Sequence, residues 1–167
     1  MGVIVMQEKP AVGIVMGSMS DKAVMEECAK VLEELGVSFE IIVSSAHRTP
    51  DRTRDYAIHA ADRGIEVIIA GAGWAAHLAG VLASHTTVPV IGVPIDSSPL
   101  KGIDALLSTA QMPPGIPVAT LAIGSGGARN AAVFAAQILA LKYPDIAKNL
   151  KTYRERLQTK STGAKAD

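Results

Sequence analysis

One cysteine, Cys28, stands in the 167 residues. An internal disulfide framework is thereby excluded, and a reducing, cytoplasmic location is the expectation. Neither sign of charge is in excess: 16 basic residues face 16 acidic ones, for a formal net charge of +0. Composition therefore carries no nucleic-acid footprint and no polybasic membrane patch. Aromatics make up 4% against 49% hydrophobic residues, so the core has to be assembled from Ala, Val, Ile and Leu. The beginning of the chain lacks the basic region, apolar core and cleavage site of a signal peptide. Met6 stands where a myristoylation site carries Ser or Thr. Val67 to Ser84 has no charged residue, but Gly71, Gly73, His77 and Gly80 interrupt it, a pattern of strand, turn and helix rather than a membrane span. His, Cys and carboxylates nowhere show metal-ligand spacing, and neither a G-x-S-x-G elbow nor a P-loop occurs. No metal and no cofactor are expected.

What is present is a repeated alternation of buried strand and amphipathic helix. The length suits a single domain over 1–167, with residues 1–10 as an arm and 159–167 as a polar tail without order. Strands are expected at Val12–Met16, Phe39–Val43, Val67–Ala70, Val88–Val93 and Pro117–Ile123. Helices are expected between them: one with the stripe Val24, Met25, Cys28, Val31, Leu32 and Leu35 ending at Gly36, one from Pro50 to Arg63 closed by Gly64, one through Ser84, and one over Leu100–Ala110. Two more follow, an alanine-rich helix to Lys142 and a last one over 145–158. Such alternation predicts an α/β fold, a parallel sheet between two helical layers. Five strands suit the flavodoxin-like order 2-1-3-4-5, with a ligand crevice beside the first and third strands. A mean hydropathy of +0.27 is high for a soluble monomer and predicts a buried subunit interface.

The loop after the second strand, Ser44-Ser45-Ala46-His47-Arg48-Thr49-Pro50, places a histidine at the mouth of a helix. Thr49 is the expected N-cap and Pro50 the first helical residue. Small neighbours let a ligand approach, Arg48 offers a bidentate fork for phosphate or carboxylate, and histidine changes charge near neutrality. Ser18, Ser20 and Asp21 sit at another helix start, which suits phosphate; Ser18-x-x-Asp21 fits a capping box equally well. Gly71-Ala72-Gly73-Trp74-Ala75-Ala76 matches a G-x-G-x-x-A dinucleotide fingerprint, with Asp96 near the position of a ribose-binding acid. Against that, the fingerprint normally occupies the first strand–helix unit. His77 either faces the crevice or packs, and its position favours packing. His59 and His85 suit helix ends. Gly124-Ser-Gly-Gly127 is an anion nest or a packing device.

In order, Met16-Gly-Ser-x-Ser-Asp21, Ser45-Ala-His-Arg-Thr-Pro50, Ile69-Ala-Gly-Ala-Gly73, Ala75-Ala-His-Leu78 and Gln111-Met-Pro113 make the chain resemble the N5-carboxyaminoimidazole ribonucleotide mutase family of purine biosynthesis. The resemblance covers about residues 11–158, and the loop after the third strand is similar to the bacterial mutase type. It implies a three-layer fold assembled as a homo-octamer, a small ribonucleotide substrate and CO2 as an intermediate. By match, Ser18 and Arg48 hold the phosphate and Asp21 the ribose hydroxyls. Gly17, Ser20, Ser45 and Ala46 join them. Gly71, Ala72 and Gly73, with Ala75, Ala76, His77 and Leu78, shape the pocket for the base and the migrating carboxylate, and His47 is the general acid and base. Trp74 departs from the family's usual Gly, Ala79 from Pro and Lys22 from Trp. Two alternatives stand beside the mutase: a carboxylase using free CO2, and a non-catalytic nucleotide-binding module on the same fold.

Overall fold

A computed structural model describes residues 9–162. Five parallel strands, β1 (Val12–Met16), β2 (Phe39–Val43), β3 (Val67–Gly73), β4 (Val90–Ile95) and β5 (Ala119–Thr120), lie in the order β2-β1-β3-β4-β5. The helices are α1 (Lys22–Glu34), α2 (Pro50–His59), α3 (Leu78–Ser84), α4 (Ile103–Ala110), α5 (Gly124–Ala140) and α6 (Pro144–Thr162).

Alternation along the strands sorts the two helical layers, because successive side chains point to opposite faces. Val12, Ile14 and Met16 of β1, Val67 and Ile69 of β3, and Ile91, Val93 and Ile95 of β4 pack against α1, α5 and α6. Val15, Ile68, Ala70 and Val90 point the other way, against α2 and α3. Where a helix comes close the strand carries glycine: a Cβ on Gly13 would lie 2.1 Å from the Tyr56 hydroxyl of α2, and one on Gly92 would lie 2.3 Å from a Thr109 methyl of α4. Cys28 is fully buried on the α1 stripe, and burial pushes its thiol up to about 12; it acts as a small core residue.

Several boundaries differ from the sequence expectation. β5 is two residues long rather than seven, paired only through Ile91–Ala119 and Gly92–Thr120. It is an edge strand, and Pro117 has no N–H to offer a ladder. β4 starts and ends two residues later than expected and contains Pro94. Gly92 bonds towards β5 through its carbonyl, so Pro94, two residues on, turns its missing N–H to the side where β5 has already ended. α2 stops at His59, and residues 60–64 continue as turns to Gly64 at φ +94°. α4 begins only at Ile103, after Lys101 and Gly102 at positive φ. The expected unordered tail is partly helical, since α6 runs to Thr162. The remainder of that tail, and residues 1–8 of the arm, lie outside the described residues. Among the described residues no helix is long and apolar enough to cross a membrane.

Candidate functional site

The carboxyl ends of β1, β2 and β3 are tied together by backbone bonds. The Ser44 N–H donates to the Met16 carbonyl at 2.9 Å, and the Gly17 N–H to the Gly71 carbonyl at 3.2 Å. Beyond these ends the chain opens into a cleft of about 530 Å³. A crevice at the carboxyl edge beside β1 and β3 is where this strand order places a ligand.

The β2–α2 loop is held from within. The Thr49 hydroxyl accepts the Ser45 N–H at 2.9 Å and donates to the Ser45 carbonyl at 3.1 Å. Thr49 therefore occupies the N-cap position but spends its hydroxyl backwards, on its own loop, and not on the first turn of α2. Pro50 takes the first helical position, as expected. Ser44, expected to leave room for a ligand, turns inward instead: it is buried and shares a 2.8 Å hydrogen bond with Thr53 of α2. Ser45 does face the cleft, and its Oγ accepts the Arg48 N–H at 3.2 Å and Nε–H at 3.4 Å. Arg48 Nη2 donates to the Gly17 carbonyl at 3.1 Å, which lays the guanidinium across the β1–α1 loop.

That second loop turns through a single 3₁₀ turn, Met19–Asp21, before α1. Ser18 Oγ accepts the Ser20 N–H at 3.3 Å, and the Asp21 carboxylate takes the Ser18 N–H and the Ser20 hydroxyl. The capping pattern is present here, and the same residues, Ser18 and Asp21, also line the cleft. Asp21 is 4% exposed, and its pKa lies above the ordinary 3.8, because burial outweighs the Ser18 and Ser20 hydrogen bonds and the Arg48 charge. A carboxyl raised on folding favours the fold below its ordinary pKa, and the gain is lost as pH rises through the folded value. At pH 7 the ionised group is held at a cost. Asp21→Asn is expected to raise the melting temperature at pH 7, with the gap to the wild type closing towards pH 3; calorimetry at both pH values checks this.

On the opposite wall, His77 follows β3. The packing expectation for it is overturned: it is exposed, lines the cleft, and its Nδ1 lies 2.7 Å from His47 Nε2. The two rings meet edge to face, centroids 4.9 Å apart and planes at 80°. A hydrogen bond between two imidazole nitrogens requires one to carry the proton and the other to accept it, so each ring constrains the other's tautomer. The loop before His77 is fastened from α4, where Ser108 Oγ accepts the Ala76 N–H at 3.0 Å.

The cleft gathers Gly17, Ser18, Ser20 and Asp21 from the first loop, Ser45, Ala46, His47 and Arg48 from the second, and Ala72, Gly73, Ala75, His77 and Leu78 from the third. Two expected lining residues do not reach it. Gly71 is buried in β3 between Met16 and Val93, where a Cβ would lie 2.3 Å from Met25 Sδ. Ala76 is buried towards α4. Two unassigned residues do line it. Trp74 stands out in the sequence as a departure from the family's usual Gly and as part of the glycine fingerprint. Ser97, after β4, gave no motif; the signal was its place just past a strand end next to β3.

The dinucleotide reading fails here on geometry. Its first glycine belongs in a tight turn, whereas Gly71 lies inside a paired strand and Asp96 lies outside the cleft. Gly124–Gly127 also lies outside the cleft. Among the described residues no group of three or more His, Cys, Asp or Glu side chains is arranged to hold a metal ion.

A family model described as AIR carboxylase matches residues 11–160. The chain belongs to the AIR carboxylase family. Of its relatives in that family, the N5-carboxyaminoimidazole ribonucleotide mutase of Pyrococcus abyssi is 62% identical over 149 residues, spanning 89% of this chain and 84% of that protein. The protein of the same name from Thermotoga maritima is 58% identical over 149 residues, 89% of this chain and 86% of its own. The crystal structure of Treponema denticola PurE matches with a TM-score of 0.82 at 31% identity, covering 92% of this chain and 95% of that one. The five-stranded, flavodoxin-like sheet of this chain thus lies within a fold shared with that structure.

Proposed function

We propose that the protein is an isomerase of purine biosynthesis that converts N5-carboxyaminoimidazole ribonucleotide into its C4-carboxylated isomer. The observation that carries this reading is the His47–His77 contact at 2.7 Å between the two walls of a cleft that also presents Arg48, Ser18 and Asp21. The names of the relatives support it.

The chemistry asks for little, and these residues can supply it. Breaking the N–carboxylate bond returns an electron pair to nitrogen, which needs a proton, and releases CO2. The electron-rich ring carbon C4 then adds to CO2, and the hydrogen on C4 leaves as a proton. One proton is donated and one recovered, so a single imidazole serves both steps. His47 takes that part, with His77 holding its ring and its tautomer. Arg48 forks onto the phosphate, Ser18 adds a hydroxyl beside it, and the Asp21 carboxylate accepts from the ribose hydroxyls. Ala46, Ala72, Gly73, Ala75 and Leu78 give small or apolar walls that leave CO2 nothing to bond with, so that confinement retains it.

The family's description supports a second reading, a carboxylase that fixes free CO2 on C4. Assembly as a homo-octamer in the cytoplasm belongs to the first. Exposed Leu100, Ile103 and Leu107 around α4, and the reduced, buried Cys28, agree with it. Incubation of purified protein with the N5-carboxylated nucleotide tests the reading. Steady formation of the C4-carboxylated product is expected, whereas ligand-induced thermal stabilisation without turnover would leave the non-catalytic module.

A further inference from the structure

Trp74 is the residue of the cleft that core packing does not explain. Its backbone lies in the left-handed region at φ +56°, where a bulky side chain is disfavoured and glycine is at ease. Its indole is 58% exposed, so the strained position gains little burial in return. The loop is nonetheless in contact with its surroundings on both sides of Trp74. A Cβ on Gly73 would lie 1.9 Å from Ser97 Oγ, and the Ala76 N–H is bonded to Ser108. The chain has one tryptophan, and no Phe or Tyr lines this cleft. Trp74 thus brings the chain's one indole to a cleft whose other walls are glycines, alanines, small polar residues, Leu78, Arg48 and the smaller imidazole rings of His47 and His77.

We propose that Trp74 is a specificity-determining residue, whose indole stacks on the face of the substrate's five-membered ring and closes the mouth of the cleft above the reacting carbon. The proposal rests on the mutase reading of the site. Arg48 and Ser18 address the phosphate end of the nucleotide, and His47 reaches ring atoms at their edge. What these leave ungripped is the flat face of the heterocycle, and an indole is the side chain best suited to it. Covering that face also keeps water from the interval in which CO2 is free. Backbone strain at a cleft is tolerated where the side chain so placed serves the ligand.

As the sole tryptophan, Trp74 reports on itself. The wild-type protein is titrated with the C4-carboxylated aminoimidazole ribonucleotide and separately with ribose 5-phosphate, while emission is followed and binding is measured by calorimetry. The nucleotide is expected to quench and shift the emission with the calorimetric Kd, and ribose 5-phosphate to bind without doing so. Trp74→Gly is expected to melt no lower than the wild type, since glycine relaxes at this φ, and to raise KM about tenfold; Trp74→Phe should recover part of that loss. Unchanged emission with nucleotide bound, or a wild-type KM in Trp74→Gly, overturns the proposal. So does a loss of oligomer mass in Trp74→Gly with a silent wild-type titration, which places the indole at a subunit contact. Turnover without an emission change defeats this inference alone. Quenching without turnover supports the stacking and defeats the mutase reading alone.

Discussion

His47→Asn is expected to lower kcat about 10³-fold, within the range set by removing a positioned proton-transfer group, while KM for the nucleotide changes little. The split follows from the layout of the cleft. Substrate affinity is assigned to Arg48, Ser18 and Asp21, which draw on β1 and the β2–α2 loop and keep their own hydrogen bonds without the imidazole. His47 itself is exposed, and among the described residues its side chain bonds to His77 alone. The melting temperature should therefore stay within a degree or so of the wild type, which separates loss of chemistry from loss of fold. Steady-state kinetics and calorimetry on the same preparation decide the matter. A kcat within tenfold of the wild type removes His47 from the proton path, and a large rise in KM at unchanged kcat makes it a binding residue.

Gly127→Ala is the substitution expected to damage the fold most. A Cβ there would lie 1.6 Å from the Ala122 carbonyl oxygen and 2.5 Å from its carbon. Both are backbone atoms, so no side chain can swing aside. α5 would have to lift from the end of β5, and with it the alanines Ala128, Ala131, Ala132, Ala135 and Ala136, all buried against the sheet and α1. A cost of about 3 kcal/mol is expected, or a fall of roughly 10 °C in melting temperature for a chain of this size. Gly126, one residue earlier, has nothing within 4 Å of its Cβ position. Gly126→Ala should be neutral or stabilise by up to about 1 kcal/mol through helix propensity. If Gly127→Ala melts like Gly126→Ala, the close approach of α5 to residue 122 is not a feature of the protein in solution.

That pair also shows what a sequence can and cannot say about glycine. Gly124-Ser-Gly-Gly127 reads equally well as an anion nest and as a packing device, because both need a residue without a side chain. Only the position of Ala122, brought there by the β5 turn, separates them. Gly71 and Gly73 illustrate the same limit: one is flush against Met25 inside a strand and the other against Ser97 at the cleft. His77 is a matter of rotation. Its place one residue before Leu78 is plain, but whether it points to α2 or to the cleft depends on how Ser108 fastens the loop, a contact across 32 residues.

The parts that were legible share a different origin. Strand order, the two helical layers and the cleft edge follow from the alternation of apolar strand and amphipathic helix, a local pattern that recurs along the chain. The Ser45–Pro50 loop was legible because its own residues hold it. Ser45, Arg48 and Thr49 bond to one another within four positions. β5 was overestimated because a proline and an edge position shorten pairing without changing the apolar pattern.

As proposed, the cleft moves a carboxylate from nitrogen to carbon and keeps the CO2 formed on the way from escaping to solvent. Conversion of unlabelled N5-carboxylated nucleotide in buffer containing ¹³C-bicarbonate, with mass analysis of the product after a few turnovers, tests it most directly. C4-carboxylated product that carries no label is expected. Product labelled to the level of the buffer, or aminoimidazole ribonucleotide accumulating in its place, would contradict it.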